Sequence, residues 1–414
     1  MSQKAPTEFD LLIAGGGATG LALVAMLLKH TELRIGLIEA AAPPDTNHRQ
    51  SDFLELRSIA LSAQSCEILG ELGLDSLAEI ACPITTIHVS DQGHLGQCTL
   101  RAEDYHMAVL GQVVELPALV AQLHQQIQDA GNRLHVFYQS EITDLTRTQT
   151  DVTVILSGGE CLSAQLLVVA EGGQSKTREK LGIEAEVEDY QQTALVANVE
   201  LATDHQNWAF ERFTAQGPLA LLPLKPLSQA NNKHRGALVW TLSHPRYQQL
   251  IAMNDHEFIA DLQREFGFRL GEIKNVGRRS GFPLTLRYAE QHIHHRAVLI
   301  GNACQSLHPI AGQGLNLALR DVKQLADLLI AHRQEDIGQY SLLHRYQRQR
   351  KQDQQRLTFA TDTLVRTFSN SYLPFVIGRN LALTALDNIP ALKQSFAITA
   401  MGFKGTTGER HAKL

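Results

Sequence analysis

The pattern of apolar and polar positions divides the chain into short buried runs and longer amphipathic ones. Residues 9–14 (FDLLIA) form an apolar run of strand length and 18–29 (ATGLALVAMLLK) one of helix length, with glycines between them. A second strand-like run covers 33–39 (LRIGLIE). Apolar spacings of three and four predict amphipathic helices over 63–72 and 115–130, each followed by a stop glycine, Gly73 and Gly131. Strands are predicted over 134–138, 151–156 and 162–170. From about 190 to 282 the pattern turns β-rich, with runs such as 194–199 and 237–242, broken by one helix over 255–266. A buried strand over 297–300, a long helix over 314–331 and mostly helical segments over 342–364 and 372–403 complete the chain. No internal repeat or low-complexity linker interrupts it, so the domains are expected to interleave rather than follow in series.

One run invites another reading. Residues 11–28 carry no charge and approach the lower limit for a membrane span. Three consecutive glycines within it and the flanking strand pattern favour a buried strand–turn–helix unit. No basic segment or small-residue cleavage site precedes it, which predicts a cytoplasmic protein without a signal peptide.

The chemistry concentrates in two glycine-rich segments. Gly15, Gly17 and Gly20 lie at the turn between a strand and a helix, the context that a dinucleotide fingerprint requires. Gly15 permits the turn, Gly17 lets a pyrophosphate approach the backbone, and Gly20 lets the helix lie against the strand. The helix N-terminus offers free N–H groups and its positive dipole end to the phosphates. Glu39 closes the second strand, placed to accept hydrogen bonds from ribose hydroxyls and to repel a 2′-phosphate.

The second segment runs Gly301-Asn302-Ala303-Cys304-Gln305-Ser306-Leu307-His308-Pro309-Ile310-Ala311-Gly312-Gln313-Gly314-Leu315-Asn316. A strand ending at Gly301 brings Asn302 to the sheet edge where ligands of open α/β sheets bind, within reach of a ribityl hydroxyl. The loop of Pro309, Gly312, Gln313 and Gly314 leads into a helix whose amides suit the electron-rich pyrimidine end of an isoalloxazine. The two segments together therefore predict FAD. No further fingerprint houses a nicotinamide nucleotide, which points to transient visits by NAD(P)H.

Composition narrows the classes. The chain has 414 residues, enough for two or three domains. Its formal net charge of −6 gives no electrostatic reason to expect nucleic acid. Cys66, Cys82, Cys98, Cys161 and Cys304 are scattered without a paired motif, as expected of reduced thiols with neither a disulfide framework nor a zinc site. His292, His294 and His295 read as a polar turn before a strand, since no Cys or acidic cluster completes a metal-ligand set. The arginine- and glutamine-rich run 344–356 reads as a solvated helix face, with contact to anionic lipid as the alternative.

These motifs resemble the flavoprotein aromatic hydroxylases of the para-hydroxybenzoate hydroxylase type. Their mid-chain Asp-Gly motif appears here as Glu171-Gly172, with Ser175 and Arg178, and their Gly-Asp motif as Gly301-Asn302. Both carboxylate positions depart from the family, one longer by a methylene and one uncharged. Within that group the chain resembles the ubiquinone-biosynthesis hydroxylases along nearly its whole length, through Arg57-Ser58-Ile59-Ala60-Leu61-Ser62, Gly111-Gln112-Val113-Val114-Glu115-Leu116, Ala209-Phe210-Glu211-Arg212-Phe213-Thr214 and Gly378-Arg379-Asn380. The variant Gly301-Asn302 segment is most similar to the branch acting on 2-polyprenyl-6-methoxyphenol.

The resemblance implies an α/β protein, α+β overall. A Rossmann-like FAD domain (1–82, 102–185 and 283–335) would interleave with an antiparallel β-sheet substrate domain (83–101 and 186–282), followed by a helical region (336–414). It adds Arg57, Gln112, Glu171, Gly172, Leu315 and Asn316 to the cofactor-binding set. It implies O2 and NAD(P)H as cosubstrates and a flavin C4a-hydroperoxide that oxygenates the ring para to the phenol oxygen, giving 2-polyprenyl-6-methoxy-1,4-benzoquinol. No catalytic acid or base is assigned, because the family works mainly by positioning. A polyprenylated phenol is the expected partner, with other ubiquinone-biosynthesis proteins and a peripheral membrane contact as further ones. Apolar Leu373, Phe375, Leu381, Leu383, Phe396 and Met401 could serve a polyprenyl tail or ordinary helix packing. Three other readings stay open: another ring hydroxylase of the same pathway, an FAD-dependent isoprenoid reductase or dehydrogenase, and a non-catalytic FAD-holding subunit.

Overall fold

The computed structural model describes residues 6–43, 57–74, 77–226, 234–306, 313–351 and 373–403. Its first layer is an eight-stranded sheet whose centre is parallel. Ala297–Leu299, Cys161–Val169, Thr7–Ala14, Ile35–Ile38 and Leu134–Phe137 lie side by side in that order, all pointing the same way. Each central strand is buried on both faces, which is why these runs are continuously apolar rather than alternating. Val152–Leu156 and Ile142–Arg147 extend the sheet in the antiparallel sense.

The uncharged stretch 11–28 is thereby split between the first strand and the helix Ala18–His30, in which Gly20 to Leu28 are all buried. The helix packs against Leu116–Ile127 and Gln313–Ala331, forming the largest core cluster with Leu21, Leu27, Leu123 and Leu325. A core Leu→Ala change here costs about 2–5 kcal/mol. Among the described residues no helix is long and apolar enough to cross a membrane.

The second layer is a nine-stranded, largely antiparallel sheet. Its axis is the strand Ala185–Leu201, paired with His234–Ser243 on one side and Ser280–Ala289 on the other. Gly217–Leu224, Trp208–Thr214, Thr86–Asp91 and Gln97–Arg101 continue it. The sheet runs past residue 282 to Ala289 and takes in Gln305–Ser306, so the two layers share the polypeptide just before and within the second glycine segment. A small sheet of Ser58–Ser62, Gly111–Glu115 and Ala81–Ile84 lies between them. The buried Arg235 donates to Glu115 Oε1 at 2.6 Å and fastens this small sheet to the large one.

Three expectations need correction. The β-rich region holds two helices, not one: His244–Ala252 precedes Asp255–Phe266, with Pro245 in its first turn. Glu115 ends a strand, and the helix after it starts at Leu116, passing into a 3-10 turn over Gln128–Arg133. His292 is no surface turn residue, since it is 1% exposed and edge-on to Tyr288, while Ile293–His294 pairs back on the next strand. Burial and the nearby Arg350 and Lys351 push the His292 imidazole down to about 4. The helix expected from 342 is present over 340–351, and 352–364 lie outside the described residues. The C-terminal region forms the helices Leu373–Asn388 and Pro390–Ala400.

Candidate active site

Adjacent parallel strands end together, and the expected cofactor residues sit on those ends. Gly15 follows Ala14, Glu39 follows Ile38, Glu171 and Gly172 follow the strand ending at Val169, and Gly301 follows Ile300. Backbone bonds lock the ends in register: Gly15 N–H donates to Ile38 C=O at 2.8 Å, Ala170 N–H to Ala14 C=O at 2.7 Å, and Ile300 N–H to Val169 C=O at 3.0 Å. This is the carboxyl edge at which open α/β sheets bind ligands.

The first three key glycines differ in what they leave room for. Gly15 has φ +109°, and a Cβ there would stand 2.6 Å from Ala170 O. At Gly20 a Cβ would meet Gly15 O at 1.9 Å, so only glycine fits at this position in the first turn of the helix. At Gly17 φ is −73° and a Cβ would meet nothing within 4 Å. Gly17 thus spends no conformational freedom and instead keeps a space open above the helix N-terminus. That terminus has no side-chain cap and no acidic residue in its first turn, leaving its N–H groups available to an anion. Glu39 accepts from Gly16 N–H at 2.5 Å and from Ala41 N–H at 2.7 Å, which fixes its carboxylate beside this turn.

The second segment packs directly on the first. Gly301, at φ +60°, is tightly packed: a Cβ would lie 3.1 Å from Thr19 Cγ2 and 3.2 Å from Ala318 Cβ, so a side chain there would press these neighbours apart. Its N–H donates to the buried Asp321 at 2.9 Å, and Asp321 is held by Arg350 Nε at 2.6 Å. Asn302 is exposed toward the space in front of the helix Gln313–Ala331, and Gly314 faces Asn302 Oδ1. Pro309 and Gly312 lie outside the described residues, as does the side chain of Gln313.

Other expected site residues act on the protein itself. The Glu171 carboxylate accepts from Ser175 Oγ at 2.7 Å, Thr177 N–H at 3.1 Å and Thr177 Oγ1 at 2.6 Å, capping the short helix Lys176–Lys180. Asn316 reads the edge of the strand Ser58–Ser62, accepting from Ser62 N–H at 2.8 Å and donating to Ala60 C=O at 3.0 Å. Gly172, Leu315 and Asn316 line the cavity described next, and Glu171 does not. The Arg57 guanidinium lies 4.8 Å from the Phe282 ring centroid, and its pKa is lowered by burial. Gln112 Oε1 and Ser58 Oγ are buried with no hydrogen-bond partner among the described residues.

A cavity of about 710 Å³ joins these parts. One end is formed by Gly17, Thr19, Asn302 and Gly314, and the other by one face of the large antiparallel sheet. Period-two alternation sends Val89, Glu211, Ala220, Val239 and Val196, one from each of five neighbouring strands in a single row, toward the cavity. Phe396 and Ala400 of the last helix wall it from the C-terminal side. That helix pair is held by Asn380, which accepts from Gly96 N–H at 2.8 Å and donates to Asp91 Oδ2 at 2.7 Å.

Glu211 was not singled out by the sequence beyond its place in a matching segment. Its signal was a charged residue at an inward position of the alternating strand Trp208–Thr214. Burial raises the Cys66 thiol to about 12 and Cys82 to about 11, and raises Cys98, which leaves these three poor nucleophiles. No metal-ligating cluster occurs among the described residues.

The residues present fit FAD. An uncapped helix over an open glycine, a fixed carboxylate beside it, two orphaned buried oxygens and a cavity leading to an apolar wall match a phosphate, a ribose and a flat polar ring in turn. Comparison with known proteins agrees. The FAD binding domain family profile matches residues 8–361. Ubiquinone hydroxylase UbiL of Rhodospirillum rubrum is 33% identical over 409 residues, covering 95% of this chain and 89% of that protein. The 3-demethoxyubiquinol 3-hydroxylase of Escherichia coli is 31% identical over 401 residues, covering 96% and 99%. The crystal structure of PqsL, a probable FAD-dependent monooxygenase from Pseudomonas aeruginosa, superposes with a TM-score of 0.76 at 21% identity, covering 91% of this chain and all of that one. The mixed α/β architecture is that of the FAD monooxygenases, O2 and NAD(P)H being the cosubstrates typical of the class. The chain therefore belongs to the FAD-dependent aromatic monooxygenases, in the group of the ubiquinone-biosynthesis hydroxylases.

Proposed function

We propose that this enzyme hydroxylates a 2-polyprenyl-6-methoxyphenol at the ring carbon para to the phenol oxygen, giving 2-polyprenyl-6-methoxy-1,4-benzoquinol. The observation that carries the reading is the single cavity running from the dinucleotide turn to an apolar sheet face. In this reading Gly15, Gly17 and Gly20 with the helix N-terminus hold the pyrophosphate and Glu39 the ribose. Arg57, Gln112, Gly172, Gly301, Asn302, Gly314, Leu315 and Asn316 surround the ring system. Glu171 and Asn316 contribute by shaping the backbone. Bound there, FAD supplies the activation of dioxygen with electrons from NAD(P)H. The protein's part is to hold the phenol ring against the sheet, keep water out, and pass the apolar tail along Phe396 and its helix.

The Escherichia coli relative, matched over nearly its whole length, is named for oxidation at a different ring carbon, and supports a second reading within the same pathway. Purified holoenzyme given NAD(P)H and a short-chain 2-prenyl-6-methoxyphenol should consume oxygen and form the para-benzoquinol in equal amounts, as read by mass spectrometry. Oxygen uptake with product only from a demethoxyubiquinol analogue would move the assignment to the second reading. In cells lacking the enzyme, the quinone precursor that accumulates should be the unhydroxylated methoxyphenol.

A further inference from the structure

Among the described residues lining the cavity, Glu211 is the one carboxylate. It sits mid-strand, between Val89 and Ala220 on the neighbouring strands, with Val239 and Val196 beyond. Its neighbour Phe210 packs into the core on the opposite face of the sheet. Glu211 has no hydrogen-bond or ion-pair partner among the described residues, and what remains of its surface opens into the cavity. The other charged side chains on the lining are Arg57, stacked on Phe282, and Arg278; neither pairs with it. By the same alternation the neighbouring strands carry Asp91, which accepts from Asn380, and Cys98 on the face of Glu211, and the other groups they present there are apolar, small or uncharged. A carboxylate placed this way is costly unless something else brings a proton or a donor to it. The residue directly across from it, Ala220, is small, so the sheet surface beside the carboxylate is low.

We propose that Glu211 accepts the phenol O–H of the substrate and takes its proton as the ring is oxygenated. The proposal rests on the phenol reading above. As oxygen is added, the phenol O–H bond breaks and the proton passes to Glu211. The O–H electron pair enters the ring, the para carbon forms its C–O bond to one oxygen of the dioxygen activated with the electrons of NAD(P)H, and the O–O bond breaks, its electron pair leaving with the second oxygen as water. A ring dienone results, which loses the hydrogen on the hydroxylated carbon as a proton and regains one at the original oxygen, giving the hydroquinone. Desolvation alone raises the Glu211 pKa to about 7, which sets a general base near working pH.

The test uses holoenzyme and two probes, 2-prenyl-6-methoxyphenol and its O-methyl ether, which has no proton to give. In the absence of electron donor, the phenol should bind wild-type protein about tenfold tighter as pH rises through 7, and the ether should show no such change. Glu211→Gln should keep its FAD content, flatten that pH dependence, and lower kcat about 10²-fold with little effect on KM for NAD(P)H. Glu211→Asp, retaining a carboxylate, should restore the pH dependence with weaker phenol binding. A Gln variant that keeps both the pH dependence and the turnover overturns the role of Glu211. Wild-type holoenzyme that binds and oxidises neither probe overturns the phenol reading, and this proposal with it.

Discussion

Three glycines in one turn separate folding from binding. Gly15 and Gly20 are required by contacts within the chain, and Gly17 by none. Gly20→Ala should therefore yield little folded protein. Gly17→Val should fold with wild-type circular dichroism and lose its FAD, the valine occupying the space over the helix N-terminus; flavin absorbance of the purified protein checks this, and full FAD occupancy in Gly17→Val would refute the assignment. His292 makes a different point. Its folded pKa of about 4 lies below the ordinary 6.5, so between those values the unfolded chain binds a proton that the folded one does not. Stability is then complete above pH 6.5 and falls as pH drops toward 4, by about 3 kcal/mol from this residue. Neither ring nitrogen has a partner among the described residues, so His292→Phe should leave neutral-pH stability nearly unchanged and reduce the loss on acidification. Urea midpoints at the two ends of that pH window measure it.

At the scale of elements, the C-terminal helix pair is a wall pinned to its neighbours by Asn380 and by Asp387, which accepts from Thr99 N–H at 3.2 Å. Asn380→Ala removes two hydrogen bonds to the hairpin Thr86–Asp91 and Gln97–Arg101 and should cost about 1–3 kcal/mol. Hydrogen exchange should quicken in Leu373–Asn388 and Pro390–Ala400, and KM for the phenol should rise as Phe396 shifts. The same scale shows what could be read in advance. The helix Asp255–Phe266 was legible because Asn254 caps it and Gly267 ends it at φ +88°. The helix just before it was not, being short, with a proline in its first turn and a single buried residue, Leu250. Of the strand Ala185–Leu201 only the apolar half stood out, since its first half is polar and is held by pairing with Ser280–Ala289 rather than by burial. The glycine turns carried their meaning locally. The work of Glu171 and Asn316 did not, because it depends on partners supplied by the fold, and for Asn316 the partner lies 254 residues away. Glu211 went unread for the converse reason, as its significance lies in having no partner among the described residues.

At the scale of the whole molecule, the two sheets divide the labour. The parallel sheet gathers strand ends into a cofactor edge, and the antiparallel sheet offers a flat wall opposite it. Ala185–Leu201 and Ser280–Ala289 carry the chain out to that wall and back, so neither layer can shift far without dragging the other. The seam where Gly301 rests on Thr19 sets a timetable for biosynthesis. A nascent polypeptide emerging from the ribosome displays the fingerprint turn early, yet that turn stays half a cleft until the residues around Gly301 have been translated and have threaded back beside it. Flavin capture is thus expected only after synthesis has passed Gly301, and it waits on a closure between segments almost three hundred residues apart.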